Sequence, residues 1–175
     1  MSKDIISMTE NKIISYLRFV LQPWYGLHLT EKMVTIDHPL YNFQFKTTNN
    51  YTIEQAIMLI FRISYLKQYS QELLIISTIY MRKICILVCS KNKIKNVYTP
   101  TTITSVFFIC ILLASKYYMD DSVNNNDLHR LAFCNIIPLN VFNHLEVQIL
   151  ELMDYNLYVS LEEYTLYENM LKDKN

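Results

Sequence analysis

Few residues of this chain have the types and spacing that catalysis or metal binding requires. One glycine, Gly26, occurs in 175 residues, so the sequence has no glycine-rich loop to hold a phosphate group. The motifs H-E-x-x-H and G-x-S-x-G are absent. Asp120 and Asp121 could bind a cation, although solvation of a helix end is the favoured interpretation. The sequence therefore predicts no catalytic residue, no metal ligand, no cofactor and no small-molecule substrate.

The four cysteines do not have the spacing of a redox or metal-binding motif either. Cys85, Cys89, Cys110 and Cys134 lie in apolar surroundings, without a C-x-x-C pair or a histidine at zinc-finger spacing. We interpret them as core thiols of a protein kept in a reducing compartment. The alternatives are a redox or metal role, or a small enzyme that uses one of the thiols as its nucleophile.

Two charged residues stand where apolar residues are expected. If residues 138–153 form a helix, Glu146 falls inside its apolar arc. Lys116 is likewise a charged residue in an apolar setting, near the end of the almost wholly apolar segment 100–119. A buried charge is costly unless it finds a partner. The sequence therefore predicts that these two helices pack and that the charges meet; the alternative is that both side chains extend to water.

Helix caps and apolar periodicity predict the elements that position these residues. Thr52–Gln55 and Ser160–Glu163 read as capping boxes, and Pro100 suits the first position of a helix. The predicted helices cover residues 9–21, a segment from 52, 70–89, 100–119, 127–133, 138–153 and a C-terminal segment from 160. The helix at 100–119 is apolar nearly all round, so we predict an all-α domain with this helix at its centre.

Charge and hydropathy narrow the classes of partner. Sixteen Lys and Arg residues balance sixteen Asp and Glu residues, which predicts no nucleic-acid partner. The basic run at 91–95 reads as a solvated loop, with a phosphate or nuclear-import site as the alternative. The apolar-rich run at 103–114 is shorter than the about 20 residues that span a bilayer. The N-terminal residues lack a signal-peptide layout. We expect no membrane partner and a location in the cytoplasm, the nucleus or both.

Three segments on these helices resemble the signatures of the cyclin family. Residues 112–117 read L-L-A-S-K-Y and match the cyclin-box pattern L-L-A-[AS]-K-[FY]. Residues 143–146 read N-H-L-E and match N-x-L-E. Residues 150–164 fit L-x-L-L-D-[FY]-x-L-x-V-x-x-x-E-[FY], an ending similar to that of the P/U-type cyclins, the branch named for the yeast phosphate-response cyclin. The resemblance covers about residues 52–170.

The resemblance implies a fold and a function. The fold would be a cyclin-box helical bundle of five core helices with an additional N-terminal helix and a C-terminal helix. Residues 1–51 would form the N-terminal helix and a connecting segment packed on the box, and residues 52–175 the box with its C-terminal helix. The chain would be a regulatory subunit that forms a heterodimer with a cyclin-dependent protein kinase and activates it.

The resemblance also assigns residues to the kinase interface. In cyclins the residues matched by Lys116 and Glu146 reach main-chain groups beside the C helix of the kinase, and Leu113, Tyr117 and Asp120 are expected in the same site. Binding turns the C helix so that its glutamate pairs with the ATP-contacting lysine, and it moves the activation loop aside. The cyclin supplies differential binding and no catalytic group.

Departures from the family pattern leave a second function open. Arg82-Lys83 stands where cyclins usually carry Asp-Arg, so an internal salt bridge common in the family is expected to be absent. Thr104-Ser105 replaces His-Arg, and Asn135-Ile136 replaces Gly-Gly. The alternative function is that of an adaptor or scaffold with a cyclin-like fold that does not activate a kinase.

Overall fold

The computed structural model describes residues 71–92, 100–120, 122–132 and 137–172, together with the single residue Ser15. Every regular element of 71–172 that is described is an α-helix, which confirms the all-α prediction for this part of the chain. The elements are α1 Gln71–Asn92, α2 Pro100–Tyr118, α3 Asn125–Ala132, α4 Leu139–Leu152 and α5 Leu161–Lys172. Each of these helices lies at a segment predicted to be helical, with small shifts of its ends.

Several predictions fall on residues that the structure does not describe. Ser15, within the predicted first helix, is helical, but the rest of 9–21 lies outside the described residues. So do the helix predicted from residue 52, its capping box, and the domain boundary between 51 and 52. Cys134 and Asp121 are likewise outside, so their interpretations stay predictions.

The centre of the described bundle is formed by α1 and α2 together. Every residue from Ser105 to Ser115 in α2 is buried, as its apolar sequence predicts. Residues 73–81 of α1 are equally buried, because α1 packs against α2, α4 and α5. The central position predicted for α2 is therefore shared with its neighbour.

Helix α1 is also long and apolar enough, by length and composition, to cross a membrane. The window Glu72–Ser90 meets this criterion, whereas the expectation of no membrane partner considered only the run at 103–114, which is too short to span a bilayer. In the fold, 61% of the window is buried. Core helices of soluble proteins have the same character. Hydroxyl groups inside it are satisfied by the preceding turn: Ser77 Oγ donates to the Leu73 carbonyl at 2.6 Å and Thr78 Oγ1 to the Leu74 carbonyl at 2.8 Å.

The chain reverses after α4 through a Schellman motif. The Tyr155 amide donates to the Leu150 carbonyl at 2.8 Å, and the Asp154 amide donates to the Glu151 carbonyl at 3.1 Å. Asp154 has φ 52° and Tyr155 has φ 55°, both in the left-handed region. Aspartate tolerates this conformation better than most residues other than glycine and asparagine. The turn directs the following connection, residues 156–160, back along α1 and α2.

Side chains of α1 and α2 hold that connection by its backbone. Tyr80 Oη donates to the Leu157 carbonyl at 2.7 Å, and Tyr118 Oη accepts from the Val159 amide at 2.9 Å. Lys83 Nζ donates to the Tyr158 carbonyl at 2.6 Å. These bonds satisfy backbone groups that a non-helical connection leaves unpaired. They fix the path by which the chain reaches α5.

Helix α5 is then tied to α1 through the pair of residues that departs from the cyclin pattern. Arg82 Nη1 donates to Tyr167 Oη at 2.8 Å, and the guanidinium lies 5.7 Å from the ring centroid. Lys83 pairs with Glu163 at 3.3 Å. Ser160 Oγ accepts from the Glu163 amide at 3.1 Å, which is the first half of the predicted capping box. Arg82 and Lys83 therefore link α1 to α5 without the Asp-Arg pair that is usual in cyclins.

Candidate partner-binding site

The two charges singled out in the sequence meet in the structure. Lys116 lies in the last turn of α2, and Glu146 lies in the middle of α4. Lys116 Nζ donates to Glu146 Oε1 at 2.6 Å. The predicted packing of the two helices and the predicted pairing of the charges are confirmed.

The position of each charge follows from its helix. Glu146 shares the buried face of α4 with Phe142, Leu145 and Ile149, so its carboxylate faces the bundle. Lys116 sits where the helix dipole favours a cation. The exposed fractions of the side chains differ: 37% for Lys116 and 11% for Glu146. The ammonium group is therefore at the surface, and the carboxylate lies behind it.

A third residue, Asn125, completes the environment of the carboxylate. Asn125 Nδ2 donates to Glu146 Oε2 at 2.6 Å and to Asn143 Oδ1 at 2.9 Å. Both oxygens of Glu146 thus accept a hydrogen bond, which offsets the cost of burying the charge. Asn125 was not among the predicted site residues, because it is one of three consecutive asparagines, at 124–126, and none of them lies in an apolar face that would single it out.

The start of α3 explains how Asn125 reaches Glu146. Asn124 caps the helix: its Oδ1 accepts from the Asp127 amide at 2.8 Å, and its Nδ2 donates to Asp127 Oδ2 at 2.6 Å. The Val123 amide donates to Ser115 Oγ at 2.7 Å, which ties the loop to α2. The cap starts α3 at Asn125, two positions before the predicted start at Asp127. The signal that could have found it is this Asn-x-x-Asp spacing.

Aromatic residues extend the surface beside Lys116. Tyr117 is 52% exposed and Tyr118 is 41% exposed, with their ring centroids 4.9 Å apart in an edge-on arrangement. Burial raises the pKa of Tyr118, and its bond with the Val159 amide acts in the opposite direction. Asp120 is exposed. We call Lys116, Tyr117, Tyr118 and Asp120 the α2-end surface.

Leu113, also predicted for the site, lies beneath this surface. Its exposed fraction is 2%, so its side chain belongs to the core. In this conformation Leu113 supports the last turn of α2 from inside. Its predicted place in a kinase interface stays a prediction, and direct contact would require the core to open.

The described cysteines are buried or partly buried. Cys85 and Cys110 are buried and Cys89 is partly buried, and none of the three forms a disulfide. Burial raises the pKa of the Cys110 thiol well above its usual range and also raises that of Cys89. Among the residues described, no three or more His, Cys, Asp or Glu side chains come together to hold a metal ion.

The chain is similar to PHO85 cyclin-1 of Saccharomyces cerevisiae, with 26% identity over 111 residues. The match covers 60% of this chain and 39% of the relative, so the chain spans about two fifths of that protein's length. This similarity supports a cyclin relationship. No family model matches the chain. As a relative of a cyclin, the chain resembles regulatory rather than catalytic proteins.

Proposed function

We propose that this chain is a P/U-type cyclin that binds and activates a cyclin-dependent protein kinase as a heterodimer. The observation that carries the proposal is the Lys116–Glu146 pair, joined at 2.6 Å at the exposed end of α2. By the sequence resemblance, these two residues match the lysine and glutamate that bind the kinase in cyclins. The similarity to a cyclin is a second support.

The α2-end surface has the properties that such a contact needs. Lysine carries three donors, and among the described residues Glu146 accepts from one of them, so the partly exposed ammonium group can also donate to carbonyl groups of a partner. Tyr117 adds an exposed aromatic ring, a residue type enriched in the centres of protein interfaces. Both project from a helix end fixed in the core, so little ordering is required on binding.

Activation would then be a population shift in the kinase. The chain packs α2 and α4 against the C helix of the kinase and binds its active arrangement more tightly than the inactive one. The C-helix glutamate pairs with the ATP-contacting lysine, and the activation loop moves aside. All catalytic groups belong to the kinase.

The kind of kinase is suggested by the relative, whose name makes it a cyclin of PHO85. We propose a kinase of the same kind as the partner, a role in the cell cycle or a related response, and a location in the cytoplasm, the nucleus or both. Nucleic acid, a membrane and a small-molecule substrate have no part in this function.

The test is binding and stimulation of purified PHO85 and a panel of other cyclin-dependent kinases. We expect one kinase to bind and to phosphorylate a generic substrate faster in the presence of the chain. Lys116→Ala should weaken binding about 30-fold or more, because removing one partner of a desolvated charge pair costs about 2–5 kcal/mol. Absence of binding across the panel would refute the proposal.

A matched control is available on α5. Lys172 forms an exposed ion pair with Glu168 at 2.7 Å, far along the chain from the site. Lys172→Ala removes the same kind of side chain and should leave kinase binding unchanged, because exposed pairs contribute little. Binding without stimulation would identify the adaptor instead of the activator.

A further inference from the structure

The Lys116–Glu146 pair presents its two charges unequally to a partner. The side chain of Lys116 is 37% exposed, whereas that of Glu146 is 11% exposed. Glu146 Oε1 accepts from Lys116, and Oε2 accepts from Asn125. A partner therefore meets the ammonium group first, and the carboxylate is already occupied from inside the protein.

The amide of Asn125 is itself held in one orientation. Its Nδ2 donates to Glu146 Oε2 at 2.6 Å and to Asn143 Oδ1 at 2.9 Å. A carboxylate only accepts hydrogen bonds when ionised, so the nitrogen of the amide must face Glu146. Asn143 lies three residues before Glu146 on α4, and the two side chains are therefore neighbours on the helix. The amide bridges them.

We propose that Asn125 is a positioning residue for the kinase-binding site. Asn125 fixes the carboxylate of Glu146, and Glu146 in turn fixes the ammonium of Lys116, which makes the contact. This inference rests on the function proposed above. It adds a residue from the start of α3 to a site that the resemblance assigned to α2, to Asp120 after it and to α4.

The physical reason is pre-organisation. Without Asn125, Glu146 Oε2 loses a short hydrogen bond in a largely buried place, and the carboxylate turns to find water. Lys116 then samples several positions, and the partner must select one of them. We expect Asn125→Ala to weaken kinase binding about tenfold, because hydrogen bonds to charged groups are among the stronger ones.

The matched control is Asn126→Ala, which removes the same amide from an exposed neighbour. Two measurements are made on each variant: its affinity for the kinase identified in the panel, and the solvent exchange of the Lys116 ammonium protons in the free protein by NMR. We expect faster exchange and weaker binding in Asn125→Ala, and neither change in Asn126→Ala. Melting curves establish that both variants are folded.

A double-mutant cycle separates positioning from direct contact. If Asn125 acts through Lys116, the Lys116→Ala/Asn125→Ala protein binds within about twofold of Lys116→Ala alone. Additive losses would mean that Asn125 touches the kinase itself, and the positioning role would be wrong.

Unchanged affinity in Asn125→Ala beside a loss in Lys116→Ala would overturn this inference and leave the proposed function standing. If Lys116→Ala also binds the kinase with normal affinity, the proposed function fails. Unchanged exchange of the Lys116 ammonium protons in Asn125→Ala would refute the positioning role.

Discussion

The bond between Arg82 and Tyr167 gives a sharp prediction for the stability of the fold. The Tyr167 side chain is 1% exposed, and its hydroxyl accepts from Arg82 Nη1 at 2.8 Å. Burial raises the pKa of Tyr167, and the nearby guanidinium acts in the opposite direction. Tyr167→Phe removes only this hydroxyl and keeps the ring in the core. The variant therefore isolates the link between α1 and α5.

The expected loss follows from the type of bond. A hydrogen bond to a charged group contributes about 1.5–3 kcal/mol, but Arg82 is only partly buried and regains water when the hydroxyl is removed. We expect the free energy of unfolding to fall by about 1–2 kcal/mol. For a chain of this size the melting temperature should then fall by about 3–6 °C.

The assay is thermal and denaturant unfolding followed by circular dichroism. The control is Tyr158→Phe, which removes the same hydroxyl from a ring that is 64% exposed and should change stability by less than about 0.5 kcal/mol. Tyr167→Phe combined with Arg82→Met should lose less than the sum of the single changes. If Tyr167→Phe melts at the same temperature as the wild type, the hydrogen bond between Arg82 and Tyr167 contributes no stability.

Three further outcomes are expected. Leu113→Ala should lower stability by about 2–5 kcal/mol through a core cavity, and an unchanged melting temperature would contradict its burial. The affinity of the folded variant for the kinase tests the contact predicted for Leu113. Peptide mapping after native thiol labelling should find Cys110 protected, since burial and a raised pKa both withhold its thiolate, and rapid modification would contradict the packing. Burial raises the pKa of Tyr80, so the fold retains its proton after the unfolded chain loses it near pH 10.0. The contribution of Tyr80 to stability should be complete below about pH 10 and be lost progressively above it, so Tyr80→Phe should make stability fall less steeply between about pH 10 and pH 12; equal slopes would refute this.

The sequence alone determined the helices and the main pair of the site. Caps and apolar periodicity are local properties, and they placed α1, α2, α4 and α5 close to their final bounds. The pairing of Lys116 with Glu146 could be predicted because a charge in an apolar face needs a partner, but the sequence left open that both side chains extend to water, and the structure decides for the pair. Helix α2 could be recognised as a core helix because its sequence is apolar nearly all round.

Only the tertiary structure decided which other side chains join those elements. Asn125 was not a predicted site residue, and its bond to Glu146 forms where the cap at Asn124 starts α3 beside α4. Arg82 read as the loss of a familiar pair, yet its guanidinium reaches Tyr167, far along the chain. Leu113 belongs to the signature of an interface but points into the core. Polar side chains have many potential partners in a sequence, and distances across packed helices select among them, whereas periodicity describes one helix at a time.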